Sequence, residues 1–95
     1  MDKSIIASEF SFKAVRSSGA GGQNVNKVSS KVVLTFDLIN SKGLSEEEKM
    51  LLQTKIATKL TQDGILILTS EEDRSQLKNK EKVIKKCFKL LENAL

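Results

Sequence analysis

The residues best equipped for chemistry lie in one stretch, 16–27, which reads Arg-Ser-Ser-Gly-Ala-Gly-Gly-Gln-Asn-Val-Asn-Lys. Gly19, Gly21 and Gly22 fall within four consecutive positions. Glycine loses more backbone freedom on ordering than any other residue, so residues 17–23 read as a loop rather than as the interior of a helix or strand. Arg16, Gln23, Asn24, Asn26 and Lys27 crowd hydrogen-bonding groups around it, more than a simple connection needs. Two phosphate-binding patterns fail. A P-loop begun at Gly19 needs Gly, Lys and Ser or Thr where Asn24, Val25 and Asn26 stand. A dinucleotide fingerprint begun at Gly19 keeps Gly21 but needs a third glycine at Asn24, and no βαβ unit follows.

Composition removes other chemistries. The 95 residues include no His, no Trp, no Tyr and one Cys, Cys87. Zinc sites need clusters of His and Cys. Ser–His and Cys–His nucleophilic pairs need His, and an intrachain disulfide needs a second Cys. The expectation is a protein with neither metal nor cofactor. The length suits one domain, 1–95. The longest apolar run is residues 65–68, against the ~20 residues of a membrane span. No signal-peptide stretch opens the chain. With the lone thiol, this points to a cytoplasmic protein without a membrane partner.

Gly21-Gly22-Gln23, set within RSSGAGGQNVNK, resembles the GGQ signature of class I peptide-release factors and their short ribosome-rescue relatives. The likeness continues through Asn24-Val25-Asn26-Lys27 and the Asp63-Gly64 turn. Arg74-Ser75-Gln76 with Asn79-Lys80 is similar to the family's RSQ…N-Arg element, with Lys80 where Arg is usual. Ala20 stands where many members have Pro and some have Ala. The resemblance implies that the tripeptide enters the peptidyl-transferase centre of the large ribosomal subunit and promotes hydrolysis of the ester joining nascent peptide to tRNA. Gly21, Gly22 and Gln23 would be catalytic. Arg16, Lys27 and Lys31 would meet rRNA phosphates.

The flanking sequence says what must hold this loop. Residues 9–16 alternate, with Phe10, Phe12 and Ala14 on one side and Ser11 and Lys13 on the other, the period of a half-buried strand. Residues 31–38 do the same, with Val32, Leu34, Phe36 and Leu38 sharing a face. Residues 40–43 form a turn or loop. Ser45 is a helix N-cap, and Glu48 completes a capping box. Glu46 and Glu47 sit where the helix dipole favours negative charge. Leu52, Ile56 and Leu60 form a stripe on a helix expected to run to about Gln62 and stop at Asp63-Gly64. Residues 65–69 read as a short strand buried on both faces. Residues 75–94 read as a helix with Leu77, Ile84, Phe88, Leu91 and Leu95 at helical spacing. Cys87 lies on their side, and Lys78, Lys82, Lys85 and Lys89 lie opposite. Gln76 and Asn79 are expected to tie this helix to the sheet. The four Phe are expected in the core. The fold class is α+β, a three-stranded sheet with two helices in the order strand, glycine loop, strand, helix, strand, helix.

Net charge is +4, unevenly spread. Residues 1–31 and 75–95 are basic, whereas 32–74 are acidic. Basic ends suit a polyanion, with RNA the first candidate. The functional expectation is a codon-independent peptidyl-tRNA hydrolase, a monomer whose partners are the ribosome, its large-subunit rRNA and peptidyl-tRNA. The alternatives are a non-catalytic RNA-binding module and a structural ribosome-associated protein. The resemblance also implies a flexible basic tail after the domain. The sequence ends at Asn93-Ala94-Leu95 as an apolar helix face, so a tail-less catalytic domain of a longer protein is expected.

Overall fold

The computed structural model describes residues 1–15 and 30–95. Its described elements are α1 (Lys3–Glu9), β1 (Ser11–Val15), β2 (Lys31–Asp37), α2 (Glu46–Lys55), a 3-10 turn (Ala57–Lys59), β3 (Ile65–Ser70) and α3 (Gln76–Ala94). The protein is α+β. Its three strands form one antiparallel sheet in the order β1-β2-β3, so β2 is central.

Period-two patterning decides which face of β2 is covered. Val32, Leu34 and Phe36 are buried, whereas Lys31, Val33, Thr35 and Asp37 are half-buried. The register sets Phe12 and Leu68 opposite Leu34, and Leu66 opposite Phe36. Helix α3 packs on β2 and β3 and buries Val83, Cys87 and Leu91 completely. Each large apolar side chain removed from water there contributes roughly 1.5–3 kcal/mol. Burial also pushes the Cys87 thiol up to about 12, so it stays protonated and behaves as a small apolar group. All four Phe pack in or against this core, with the Phe10 ring 5.5 Å from those of Phe36 and Phe88 and 6.1 Å from that of Phe12.

The element order expected from sequence is present, and the structure adds to it. Helix α1 precedes the first strand, too short for an apolar stripe and burying Ile6 alone. Its signal was Asp2, an N-cap whose carboxylate accepts the Ser4 and Ile5 N–H groups at 3.1 and 3.2 Å. The Ser45–Glu48 capping box forms as expected, but α2 ends at Lys55 rather than near Gln62. Thr54, Ile56, Thr58 and Thr61 are poor helix formers, and Leu60 leaves the helical path to bridge Leu66 of the sheet. The Asp63-Gly64 turn therefore introduces β3 instead of closing α2, with Gly64 at φ 78°.

Two burial expectations are corrected. Strand β3 is covered on one face only, and Ile67 is 46% exposed, because α3 lies on the opposite face of the sheet. In α3 the buried row is Asn79, Val83, Cys87, Leu91 and Ala94, while Leu77 is 66% and Leu95 39% exposed. The helix is thus rotated by about a quarter turn from the phase its apolar residues suggest. A buried amide, Asn79, occupies the stripe. Lys78, Lys82, Lys85 and Lys89 face solvent as expected. No helix among the described residues is long and apolar enough to cross a membrane.

Candidate functional site at the connected end of the hairpin

Strands β1 and β2 make an antiparallel hairpin, and its register says where its connection emerges. Val15 pairs with Lys31, so residues 16–29 leave and rejoin the sheet at one end through adjacent stems. Of the expected site residues, Arg16, Gly21, Gly22, Gln23 and Lys27 lie outside the described residues, as does the loop reading for 17–23. Lys31 is described. It opens β2, half-buried, on the face turned away from Val32 and α3.

The start of α3 arrives at the same end. Val32 pairs with Ser70, the last residue of β3, and the chain then turns through residues 71–75 into α3. Ser75 caps the helix by accepting the Lys78 N–H at 3.2 Å. Asp73 braces the turn. Its Oδ1 accepts the Ser75 N–H at 2.9 Å, and its Oδ2 lies 3.8 Å from Lys82 Nζ. The Ser75 hydrogen bond, helped by the charges of Lys78 and Lys82, holds this carboxyl below its ordinary value against a smaller opposing effect of desolvation.

Asn79 is fully buried and joins three segments. Its Oδ1 accepts from Ser70 Oγ at 3.3 Å and from the Asp73 N–H at 3.0 Å. Its Nδ2 donates to the Asp73 carbonyl at 2.9 Å and to the Ser30 carbonyl, 49 residues away, at 2.7 Å. The expected tie between last helix and sheet is therefore made by Asn79, and it reaches the stem of segment 16–29. Next to it, Lys80 Nζ stands 4.6 Å over the Phe12 ring, linking α3 to β1. Phe12, Ala14, Val32, Gln76, Leu77 and Lys80 border a groove beside the stems. Lys13, Lys31, Arg74, Lys78 and Lys80 surround this end with positive charge, against Glu71, Glu72 and the internally engaged Asp73.

The sequence matches the RF-1 domain model over residues 1–95, and the chain belongs to that family. It is 39% identical over 83 residues to the peptidyl-tRNA hydrolase ArfB of Pseudomonas putida, covering 87% of this chain and 60% of that protein. It is 37% identical over 79 residues to the mouse large ribosomal subunit protein mL62, covering 83% of this chain and 38% of that protein. The chain thus spans less than two thirds of the length of these relatives.

Proposed function

We propose that this chain is a ribosome-dependent, codon-independent peptidyl-tRNA hydrolase domain with Gly21, Gly22 and Gln23 as its catalytic tripeptide. The observation that carries the reading is the hairpin register. In a chain of the RF-1 domain family it sets the stems of the GGQ segment side by side at the basic end of the sheet. The names of the two relatives, a peptidyl-tRNA hydrolase and a ribosomal protein, agree with a ribosomal site of action.

The chemistry asks little of the side chains, which suits a sequence without His. The ester is already activated, and RNA supplies most of the positioning. Gly21 and Gly22 carry no Cβ to clash in an RNA-walled cavity. The Gln23 N–H donates to the charge developing on the departing 3′ oxygen of the tRNA, an interaction worth ~10²–10³-fold in rate. The Gln23 side chain helps position water and excludes larger nucleophiles. Arg16, Lys27 and Lys31 contact rRNA phosphates, Arg16 through its planar fork.

The test is release of labelled peptide from ribosomes stalled without a stop codon. Gln23→Pro removes the donor N–H and should be nearly inactive, whereas Gln23→Ala keeps it and should be only impaired. Equal activity of the two would exclude the backbone-donor mechanism. A second reading, a structural ribosome-bound protein, is favoured by the name of the mouse relative. It requires ribosome binding with no release by the wild-type chain. A base-stacking RNA module is disfavoured, because the described Phe rings pack on the core and Lys80 stands over Phe12.

A further inference from the structure

We infer that Asn79 is a positioning residue for the GGQ segment, acting through the Ser30 carbonyl. The inference rests on the function proposed above and adds a residue to it. A buried Asn within a helix is unfavourable unless its amide is engaged, because Asn has poor helix propensity and an unmet amide costs desolvation energy. Asn79 meets its full capacity, two donors and two acceptor positions. No other side chain fits this pattern: Asp lacks the donors, Leu lacks everything polar, and Gln is one carbon too long. The two ends of the amide have different addresses. Oδ1 serves Ser70, the last residue of β3, and Asp73 in the turn that follows it. Nδ2 serves that turn and also Ser30, the residue next to the Val15–Lys31 pair.

The Ser30 carbonyl belongs to the peptide that leads into Lys31, the first paired residue of β2, and the Asn79 amide holds that carbonyl from the side of α3. Every residue of the GGQ segment joins the sheet through that peptide on its C-terminal side. Catalysis by a positioned backbone donor is sensitive to displacements of about 1 Å, which cost ~10²-fold. Asn79 therefore affects turnover without touching the ester.

The experiment compares Asn79→Asp with Ser70→Ala. In Asn79→Asp one oxygen keeps the Oδ1 partners, while the other meets the Ser30 and Asp73 carbonyl oxygens and releases the stem. Ser70→Ala loses a bond on the turn side only. Release kinetics on stalled ribosomes should show kcat reduced ~10–100-fold in Asn79→Asp with KM changed by less than about threefold. Ser70→Ala should keep both, even where its melting temperature falls. In the free protein, the backbone amide resonances of Gly21, Gly22 and Gln23 should move in Asn79→Asp and stay in Ser70→Ala. Wild-type kcat in Asn79→Asp, or kcat losses in both variants that follow melting temperature alone, overturn the inference. Unmoved Gly21–Gln23 resonances in Asn79→Asp overturn it as well. Should the wild-type chain release no peptide, the proposed function fails, and the resonances decide the positioning role separately. Should Asn79→Asp not fold, Asn79→Ser replaces it, since the smaller side chain leaves room for water to satisfy the turn while the direct link to Ser30 is lost.

Discussion

The two ends of the sheet are built on different terms. At the end away from segment 16–29, contacts between segments close the structure. The Asp2 N–H donates to the Gly43 carbonyl at 2.8 Å. Glu9 accepts from Ser41 Oγ and from the Lys42 N–H, joining α1 to the turn after β2. A Cβ on Gly43 would lie 2.6 Å from Ile6 Cγ1, so α1 sits directly on that backbone. The Phe10 ring meets Phe36 and Phe88. At the other end the stems are held by strand pairing and by the Asn79 amide, and lysines surround them. The two ends thus differ in what closes them: contacts between packed segments at one, and a strand ladder with one buried amide at the other, where residues 16–29 connect the stems.

Phe36→Ala should cost ~3–5 kcal/mol, since the ring is fully buried and leaves a cavity. Urea denaturation measures the loss. Peptide release per folded molecule should stay at the wild-type level if stability and chemistry are separate.

The opposite result is expected in segment 16–29. Gly22→Ala should lower release ~10²-fold or more, comparable to losing an oxyanion donor, and leave the denaturation midpoint unchanged. A matching loss of stability would mean that this segment also supports the fold.

Next in size is Glu9→Ala, which orphans the buried Ser41 hydroxyl and the Lys42 N–H. It should cost ~1–3 kcal/mol in denaturation with no change in kcat. Ser45→Ala, which loses the α2 N-cap, should cost about 1 kcal/mol.

The smallest effect is with pH, and it involves both ends. The chain's amino terminus bonds to Glu48 and is the main cause of its lowered pKa; the Ser45 N–H adds to this. Asp73 is lowered chiefly by the Ser75 N–H. For carboxyls lowered in the folded state, the stability they contribute is present above the ordinary carboxylate range. It is lost as pH falls through that range toward the native values. Melting temperature should therefore drop between about pH 5 and 3. Asp73→Asn should flatten part of that drop, and Glu48→Gln another part. Both carboxylates are half-buried at the surface and reach solvent, so screening should keep the effect small. Identical acid profiles for wild type and both variants would remove these carboxylates from the account.

Legibility in the sequence followed the range of each interaction. The Ser45-x-x-Glu48 box, the alternation of β2 and the Asp63-Gly64 turn were readable because their determinants lie within a few residues. The Asp2 cap was readable in principle, but seven residues of α1 carry too little periodicity to announce a helix. Helix α2 ends earlier than its apolar stripe suggests, because Leu60 answers to Leu66 of the sheet rather than to its helical neighbours.

By itself the sequence determined the order strand, strand, helix, strand, helix, where the glycines and lysines gather, and which chemistries are absent for want of His and a second Cys. Tertiary structure alone decided how α3 turns on the sheet. Hydrophobicity placed Leu77 inside, yet Leu77 is exposed, and Asn79, expected to tie the helix to the sheet, is itself fully buried in the stripe. The physical reason is that an amide declares its donors and acceptors but not their partners. Ser30 becomes a partner only once the pairing of Val15 with Lys31 and of Val32 with Ser70 has brought the loop stem to the first turns of α3.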